Sequence, residues 1–236
     1  MRCYRFSLLL FALSTSVAPG ALAQRTLTQE STKRKPAPPP VERITDSLYR
    51  IGRVMVDTKA RTVTCPGVVN MSHGPVEYLA VAPGGKLHES VLRVDVRPLY
   101  VQLGLILLDL DPHNGLKFQG DAADTGGPLL RIEVRWHDIT GAEHRKPAEE
   151  LILVKGKPWR VAISADKHAS WSFTGSQITR QSGFLADSEK SIVAVWHDPA
   201  AIIDNAEKHG GENTHEVSHN CPPVGTPIEL IILPNK

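Results

Sequence analysis

The stretch LYRIGRVMVD, Leu48–Asp57, alternates apolar and polar side chains and indicates a half-buried strand. The tripeptide TKA that follows predicts a turn into a second strand, RTVTCPGVVNM (61–71). The later strand signals are rich in β-branched and aromatic residues and are bounded by Gly, Pro, Asp or Asn. They cover Val76–Ala82, Leu129–Trp136, Glu150–Gly156, Trp159–Ser164, Ala169–Gly175, Ser191–Trp196 and Ile228–Pro234. The sequence therefore predicts many antiparallel or mixed strands.

Two helices are predicted among these strands. In RPLYVQLGLILLDLDP (97–112) the apolar residues recur at helical spacing. They are Leu99, Leu103, Ile106 and Leu110. Because the opposite side is also apolar, this helix, over about 98–110, is predicted to be buried on most faces. A second, short helix is predicted over about 199–209, with Asp198 as its N-cap and Gly210 as its stop. The predicted fold is a single β-rich α+β domain.

The N-terminal residues 1–23 have the features of an export signal. Two arginines precede the short apolar run 8–13, and Ala21-Leu22-Ala23 provides a small-x-small cleavage site before Gln24. This pattern predicts export to the periplasm or the extracellular space. No later apolar stretch is long enough to predict a transmembrane span in the mature chain.

A proline-rich segment separates the predicted signal from the predicted domain. Residues 24–44 include KPAPPP at Lys35–Pro40 and few large apolar side chains, which predicts a disordered linker. The remaining residues, 45–236, suit one domain. They carry 20 Lys and Arg against 23 Asp and Glu, a net charge of −3. This balance predicts no nucleic-acid partner.

A His-Glu pair follows a glycine turn in GGKLHESVL (84–92). The sequence around it predicts a hairpin with Gly84-Gly85 at its tip. Side chains alternate along a strand, so His88 would share a face with Glu77, while Glu89 would project from the other face. The pair is not the zinc motif H-E-x-x-H, since position 92 is Leu. His88, Glu89 and Glu77 are candidate binding residues or structural polar groups, and no catalytic residue is assigned.

The tripeptide WHD occurs twice, at Trp136–Asp138 and at Trp196–Asp198, each time at the end of a predicted strand. Asp138 is predicted to open a turn and Asp198 to cap a helix. A His–Asp dyad would need a nucleophile or a metal beside it, and no recognisable motif supplies one. The simpler interpretation is ordinary strand-end chemistry.

The segment HGGENTHEVSHNC (209–221) is rich in potential metal ligands. His209, His215 and His219 could bind zinc or copper, although their spacing matches no standard zinc site. Its glycine and asparagine content equally predicts a surface loop. No cofactor is assigned.

Two cysteines remain after the predicted signal, Cys65 and Cys221, and each precedes a proline. In an oxidising compartment they could form a disulfide, and two unrelated thiols are the alternative.

The motifs of several enzyme classes are missing from the sequence. It contains no G-x-S-x-G, no P-loop, no G-x-G-x-x-G after a strand and no C-x-x-C. The leading hypothesis is therefore a non-enzymatic exported module that binds a small ligand or a partner protein at the cell envelope. The alternative is a metal-binding protein or a metal-dependent enzyme that uses His and Glu residues.

Several segments together resemble the YdjY-domain proteins, a bacterial and often exported family. They are CPGVVNMSHGPVEYLAVAPGGKLHESVL, LYVQLGLILLDLDP, WSFTGS, GFLADSEKSIVAVWHDPAAIID and PPVGTPIELIILP, which span most of 65–234. The family has no established activity, ligand or cofactor, so the resemblance implies no catalytic residues. It implies that His88-Glu89 and FTGS (173–176) belong to the pattern of the domain, whereas the His-rich loop is peculiar to this member.

Overall fold

Strands make up most of the described structure. The computed structural model describes residues 41–159, 171–207 and 212–235. The strands are β1 (Val41–Arg43), β2 (Leu48–Ile51), β3 (Val54–Asp57), β4 (Thr62–Val69), β5 (Tyr78–Val81), β6 (Ser90–Val94), β7 (Leu129–His137), β8 (Glu143–Pro147), β9 (Ile152–Val154), β10 (Lys157–Pro158), β11 (Trp171–Ser172), β12 (Ile178–Thr179), β13 (Gly183–Phe184), β14 (Ser191–Ala194), β15 (Asp204–Asn205), β16 (His215–Val217) and β17 (Pro227–Pro234). The α-helices are α1 (Pro98–Leu107) and α2 (Leu185–Glu189), and 3-10 helices cover Leu87–Glu89 and Ala148–Leu151. The predicted β-rich α+β domain is confirmed.

The largest sheet is organised around β17, which pairs antiparallel with β4 on one side and β7 on the other. Its strand order is β1-β2-β3-β4-β17-β7-β11-β15, and a branch runs from β4 through β6 and β5 to β14. Val193 of β14 also bridges to Ile203, the residue before β15. The pairings lead from β4 through β17, β7, β11 and β15 to β14, and from there through β5 and β6 back to β4. The strands therefore form a closed, barrel-like circuit. Smaller sheets join β10, β9 and β16, and β12 and β13.

Two long strands of this circuit, β4 and β7, alternate between buried and less buried side chains. Every second residue of β4 is buried, and so is every second residue of β7. In the registered pairing, Leu230 of β17 lies between Cys65 of β4 and Val134 of β7, and all three are fully buried. These residues belong to one continuous apolar cluster. A period of two in the sequence thus places one face of each long strand in the core.

The stretch Leu48–Asp57 forms two strands instead of one. A two-residue turn at Gly52-Arg53 divides it into β2 and β3, whose register pairs Ile51 with Val54. Strands are found in six of the seven later segments, some of them shorter. In the seventh, Trp159–Ser164, the first residue is not in a strand, and residues 160–164 lie outside the described residues.

Helix α1 confirms the first helix prediction with an earlier end. It stops at Leu107 and not near residue 110, because Asp109 has a positive φ of 62° that the α-helix cannot continue. Gly104 lies against Val56 and Val63, where its missing side chain allows α1 close to β3 and β4. The prediction of burial on most faces is wrong at the C-terminal end, where Ile106 and Leu107 are exposed.

The second predicted helix, over about 199–209, is wrong for its described residues, and residues 208–211 lie outside them. Asp198 does accept a hydrogen bond from the N–H of Ala200, as a cap would, but only a turn follows. Ile203 is then bonded to β14 and the chain continues as β15. Ala201, Ile202 and Ile203 are fully buried, and Ile203 bridges to Val193 of β14, so this segment packs against the sheet and does not form a helix.

The predicted glycine hairpin is also wrong. β5 and β6 pair in parallel, with Tyr78 opposite Ser90 and Ala80 opposite Leu92. After the turn at Gly84-Gly85, the 3-10 helix Leu87–Glu89 carries the chain back to the start of β5. Gly84 has the positive φ that the predicted glycine turn requires. A turn at this point does not, however, determine the direction in which the next strand returns.

The domain includes three residues of the predicted linker. Val41–Arg43 form β1, which pairs antiparallel with β2. The predicted signal (1–23) and residues 24–40 lie outside the described residues. Among the described residues, no helix has the length and apolar character needed to cross a bilayer.

Candidate functional site

Two of the predicted binding residues, Glu77 and Glu89, meet where β5 and β6 begin. The N–H of Glu77 donates to the backbone oxygen of Glu89 at 2.9 Å. Lys86 lies over both carboxyl groups, with its Nζ 3.8 Å from Glu77 Oε2 and 3.4 Å from Glu89 Oε1. The parallel pairing and the 3-10 helix therefore bring together two carboxyls that a hairpin would have placed on opposite faces. We call Glu77, Tyr78, Lys86, Glu89 and Gln119 the carboxyl cluster.

The two carboxyl groups of the cluster interact with each other through charge and a hydrogen bond. Burial raises the pKa of Glu77, and the charge of Glu89 and a side-chain hydrogen bond between the two carboxyls raise it further. Lys86 acts in the opposite direction, and the charge of Glu212, from the His-rich segment, adds to the increase. Glu77 therefore holds a proton more readily than an ordinary glutamate, and the pair can both donate and accept hydrogen bonds.

A buried tyrosine forms the floor of the carboxyl cluster. The Tyr78 hydroxyl donates to Asp198 Oδ2 at 2.8 Å and accepts from Lys86 Nζ at 3.2 Å. Gln119 Nε2 donates to Glu77 Oε2 at 3.0 Å. Burial is the largest cause that raises the pKa of Tyr78, and the negative charge of Asp198 is the second largest. The phenol therefore stays protonated and serves as a fixed donor, which does not suit it to act as a base.

Below Tyr78 lie two buried aspartates. Asp198 Oδ2 also accepts from the Ser191 hydroxyl at 3.3 Å, and the N–H of Asp198 donates to Asp204 Oδ2 at 2.8 Å. Asp204 is fully buried, and desolvation raises its pKa. The ring nitrogens of His197 lie 2.7 Å from the backbone oxygen of Asp121 and 3.0 Å from that of Asn205. This network holds Asp198 rigidly and, through it, the tyrosine floor.

His88, the third predicted binding residue, lies at the outer edge of the cluster. Its side chain is 80 % exposed, and its Nε2 is 3.6 Å from Glu89 Oε2. It can approach a ligand that reaches the two glutamates.

The two WHD tripeptides have different environments. In the first, Asp138 opens the predicted turn by accepting from the N–H groups of Thr140 and Ala142, and its second oxygen is 2.8 Å from His144 Nε2. In the second, Asp198 supports Tyr78 of the carboxyl cluster. The His88-Glu89 segment and the second WHD tripeptide, which are far apart in the sequence, therefore meet at the carboxyl cluster.

The predicted metal ligands do not form a described metal centre. His215 lies in β16, buried, with its ring 5.3 Å from the ring of Trp159. His219 is exposed, and His209 lies outside the described residues. Within the ranges 41–159, 171–207 and 212–235, no group of three or more His, Cys, Asp or Glu side chains has a metal-binding arrangement.

Cys65 and Cys221 are free thiols in the structure. Cys65 faces the core from β4, and burial raises its pKa to about 12. Cys221 is half-buried, its Sγ is 3.6 Å from the backbone oxygen of Met71, and burial raises its pKa to about 11. The structure thus has the arrangement of two separate thiols and not the disulfide alternative.

Sequence reasoning missed Tyr78, Lys86 and Gln119. Tyr78 stands in an apolar strand, where an aromatic residue predicts core, and Lys86 follows a glycine turn, where a lysine predicts a solvated tip. The available signal for Tyr78 was its position directly after the predicted binding residue Glu77. A fully buried tyrosine hydroxyl usually has a hydrogen-bond partner.

Comparison with known protein families identifies the family of the chain. The family model of the YdjY domain matches residues 54–233, which include the carboxyl cluster and both WHD tripeptides. No curated protein and no solved structure matches the chain significantly. Since the model covers most of the sequence from β3 to β17, the chain belongs to the YdjY-domain family.

Proposed function

We propose that this chain is a non-enzymatic module, exported to the cell envelope, that binds a small ligand or a partner protein through the carboxyl cluster. The observation that carries the proposal is the pair Glu77 and Glu89, held at the surface on a buried Tyr78–Asp198 support. The glutamate side chains are 14 % and 20 % exposed, so they are reachable but largely desolvated.

The charge of the cluster favours a cationic ligand group. Among the described lysines and arginines, Lys86 is the one within 4 Å of Glu77 and Glu89, and its side chain is 37 % exposed. Two carboxyls, with a third in Glu212 close enough to affect the pKa of Glu77, face this single ammonium group. An ammonium or guanidinium group on the ligand could replace the Lys86 contacts and donate the same hydrogen bonds to the carboxylates.

Binding of amines to the purified protein tests this proposal. Agmatine, spermidine and free arginine serve as probes, and binding is followed by calorimetry at constant ionic strength. We expect saturable binding of at least one probe, weakened about tenfold or more in Glu77→Gln and Glu89→Gln. Glu229→Gln is the matched control, since that half-exposed glutamate pairs with Arg135 on β7. Equal binding by all four proteins would refute the assignment of the site.

Two further measurements address the remaining parts of the proposal. N-terminal sequencing of protein recovered from the envelope fraction is expected to begin at Gln24, and an intact Met1 in that fraction would contradict export by a cleaved signal. Hydrolytic or redox turnover by the purified protein, abolished by one substitution in the cluster, would overturn the non-enzymatic assignment. Stoichiometric metal after purification without a tag would instead favour the metal-binding alternative.

A further inference from the structure

A groove with a volume of about 420 Å³ lies at the opposite end of β5 and β6 from the carboxyl cluster. The turn between β2 and β3 forms one wall through Gly52 and Arg53. The segment that follows β6 and the first turn of α1 form the other, through Asp95, Arg97 and Tyr100. Nothing in the proposed function uses these residues, so the groove is a separate feature of the domain.

Glycine shapes one wall of this groove. Gly52 has a φ of +61° at the first central position of the β2–β3 turn, where a glycine is favoured. A Cβ at this position would lie 2.7 Å from Cε2 of Tyr100. Only a residue without a side chain allows the tyrosine ring to lie directly against the turn. The groove thus depends on a close approach between two segments 48 residues apart in the chain.

Two arginines enter the groove, and neighbouring groups orient both of them. Arg97 Nε donates to Asp187 Oδ2 at 2.6 Å, and its guanidinium lies 5.6 Å from the centre of the Tyr100 ring. Arg53 Nη1 donates to the backbone oxygen of Asp95 at 3.4 Å. The side chains of Arg53 and Arg97 are nevertheless 62 % and 51 % exposed. Each guanidinium therefore keeps a surface that faces solvent from a fixed position.

Among the described side chains, the ion pairs around the groove leave one positive charge in excess. The Asp95 carboxylate lies closer to Arg93, at 3.0 Å from Nε, than to Arg53 Nη1, at 3.6 Å. Asp187 pairs with Arg97 and, with its other oxygen, accepts from the N–H of Leu99 at the start of α1. Three arginines thus share two carboxylates, and the charge of Arg53 is the least well compensated. This excess stands out on a domain whose net charge is −3 over residues 45–236.

From this geometry we propose that the groove binds a small oxyanion, a carboxylate or a phosphate group, between Arg53 and Arg97. The planar guanidinium offers parallel N–H donors that match both oxyanions, and an incoming anion would balance the excess charge. The N-terminus of α1 is not required as a binding element, since Asp187 already caps it.

Titration of the purified protein with acetate and with inorganic phosphate, each at constant ionic strength, tests the inference. Backbone amide shifts in the NMR spectrum are the readout. We expect saturable shifts at Gly52, Arg53 and Arg97, and the tighter of the two anions identifies the oxyanion class. Arg53→Gln and Arg97→Gln are each expected to weaken binding about tenfold or more, as loss of a charge-assisted hydrogen bond would. Arg53→Lys should retain part of the affinity.

The matched control is Arg145→Gln, which removes another half-exposed arginine that pairs with a carboxylate, here Glu133, on β8 away from the groove. It should bind as the parent does. The amide spectra also report whether each variant is folded, and Gly52→Ala provides a second test by displacing Tyr100 without changing any charge. Shifts that fail to saturate with either anion would overturn the inference. So would affinities that are equal in the parent and in both Arg→Gln variants of the groove.

Discussion

Replacing Tyr78 by Phe isolates the hydroxyl that joins the carboxyl cluster to its buried support. The substitution keeps the ring, which is fully buried, and removes the donor to Asp198 Oδ2 and the acceptor for Lys86. Of its contacts with described side chains, Asp198 Oδ2 would retain the longer one with Ser191, at 3.3 Å. A buried acceptor that loses its closest donor costs about 1–3 kcal/mol, and we take about 2 kcal/mol as the expected loss.

This loss should be visible as a lower melting temperature. For a domain of this length, 1 kcal/mol corresponds to about 2–4 °C, so Tyr78→Phe should melt about 4–8 °C below the parent at neutral pH. Differential scanning calorimetry gives the melting temperature, and urea unfolding gives the free energy directly. The control is Tyr49→Phe, which removes a hydroxyl from the half-buried tyrosine of β2, outside the cluster. We expect it to stay within about 0.5 kcal/mol of the parent.

A melting temperature of Tyr78→Phe within about 1 °C of that of the parent would refute the reasoning. It would mean that the hydroxyl contributes no net stability through Asp198. The floor of the cluster would then owe its position to apolar packing alone.

Three other outcomes follow from the structure. Because the pKa of Glu77 is raised above its ordinary value near 4.5, its contribution to stability should be complete below that pH and lost as the pH rises through the raised pKa. Glu77→Gln should flatten this fall in urea titrations over about pH 4–8, and an equally steep fall in the variant would contradict the shift. Gly67→Ala should lower the free energy of unfolding in urea by at least about 2 kcal/mol, because the added Cβ would collide with the backbone oxygen of Arg93 in β6. Stability equal to that of the parent would show that β4 and β6 can move apart. Alkylation of unfolded, unreduced protein followed by peptide mass spectrometry should modify both Cys65 and Cys221, whereas a peptide pair released only by reductant would establish a disulfide.

Local sequence signals were sufficient to predict the long strands and the main helix. The strand signals of β4 and β7 depend on neighbouring residues in the chain, and each of these two strands buries every second residue. Helix α1 likewise follows from repeated apolar residues after Pro98. These features require no information about which strand pairs with which.

The carboxyl cluster is formed by contacts between residues far apart in the chain, which local sequence patterns do not reveal. Tyr78 and Asp198 are 120 residues apart, and their hydrogen bond exists only because β5 pairs with β14. The direction of β6 was also a long-range result, since the glycine turn that predicted a hairpin is compatible with either direction of return. The sequence singled out Glu77 and Glu89 as candidate binding residues, but their convergence required the parallel pairing of β5 and β6, which the sequence did not reveal.

The position of β17 has a consequence for how the protein acquires its structure. This strand, residues 227–234, lies between β4 and β7, so about 160 residues are synthesised between β4 and the strand that must join it. Until β17 is available, the facing edges of β4 and β7 have no partner, and the two parts of the sheet cannot close. A nascent chain would therefore remain incomplete through most of translation and collapse late, with slow kinetics typical of long-range pairing. Such a delay would keep the polypeptide unfolded long enough to be engaged by a chaperone or a translocation machinery.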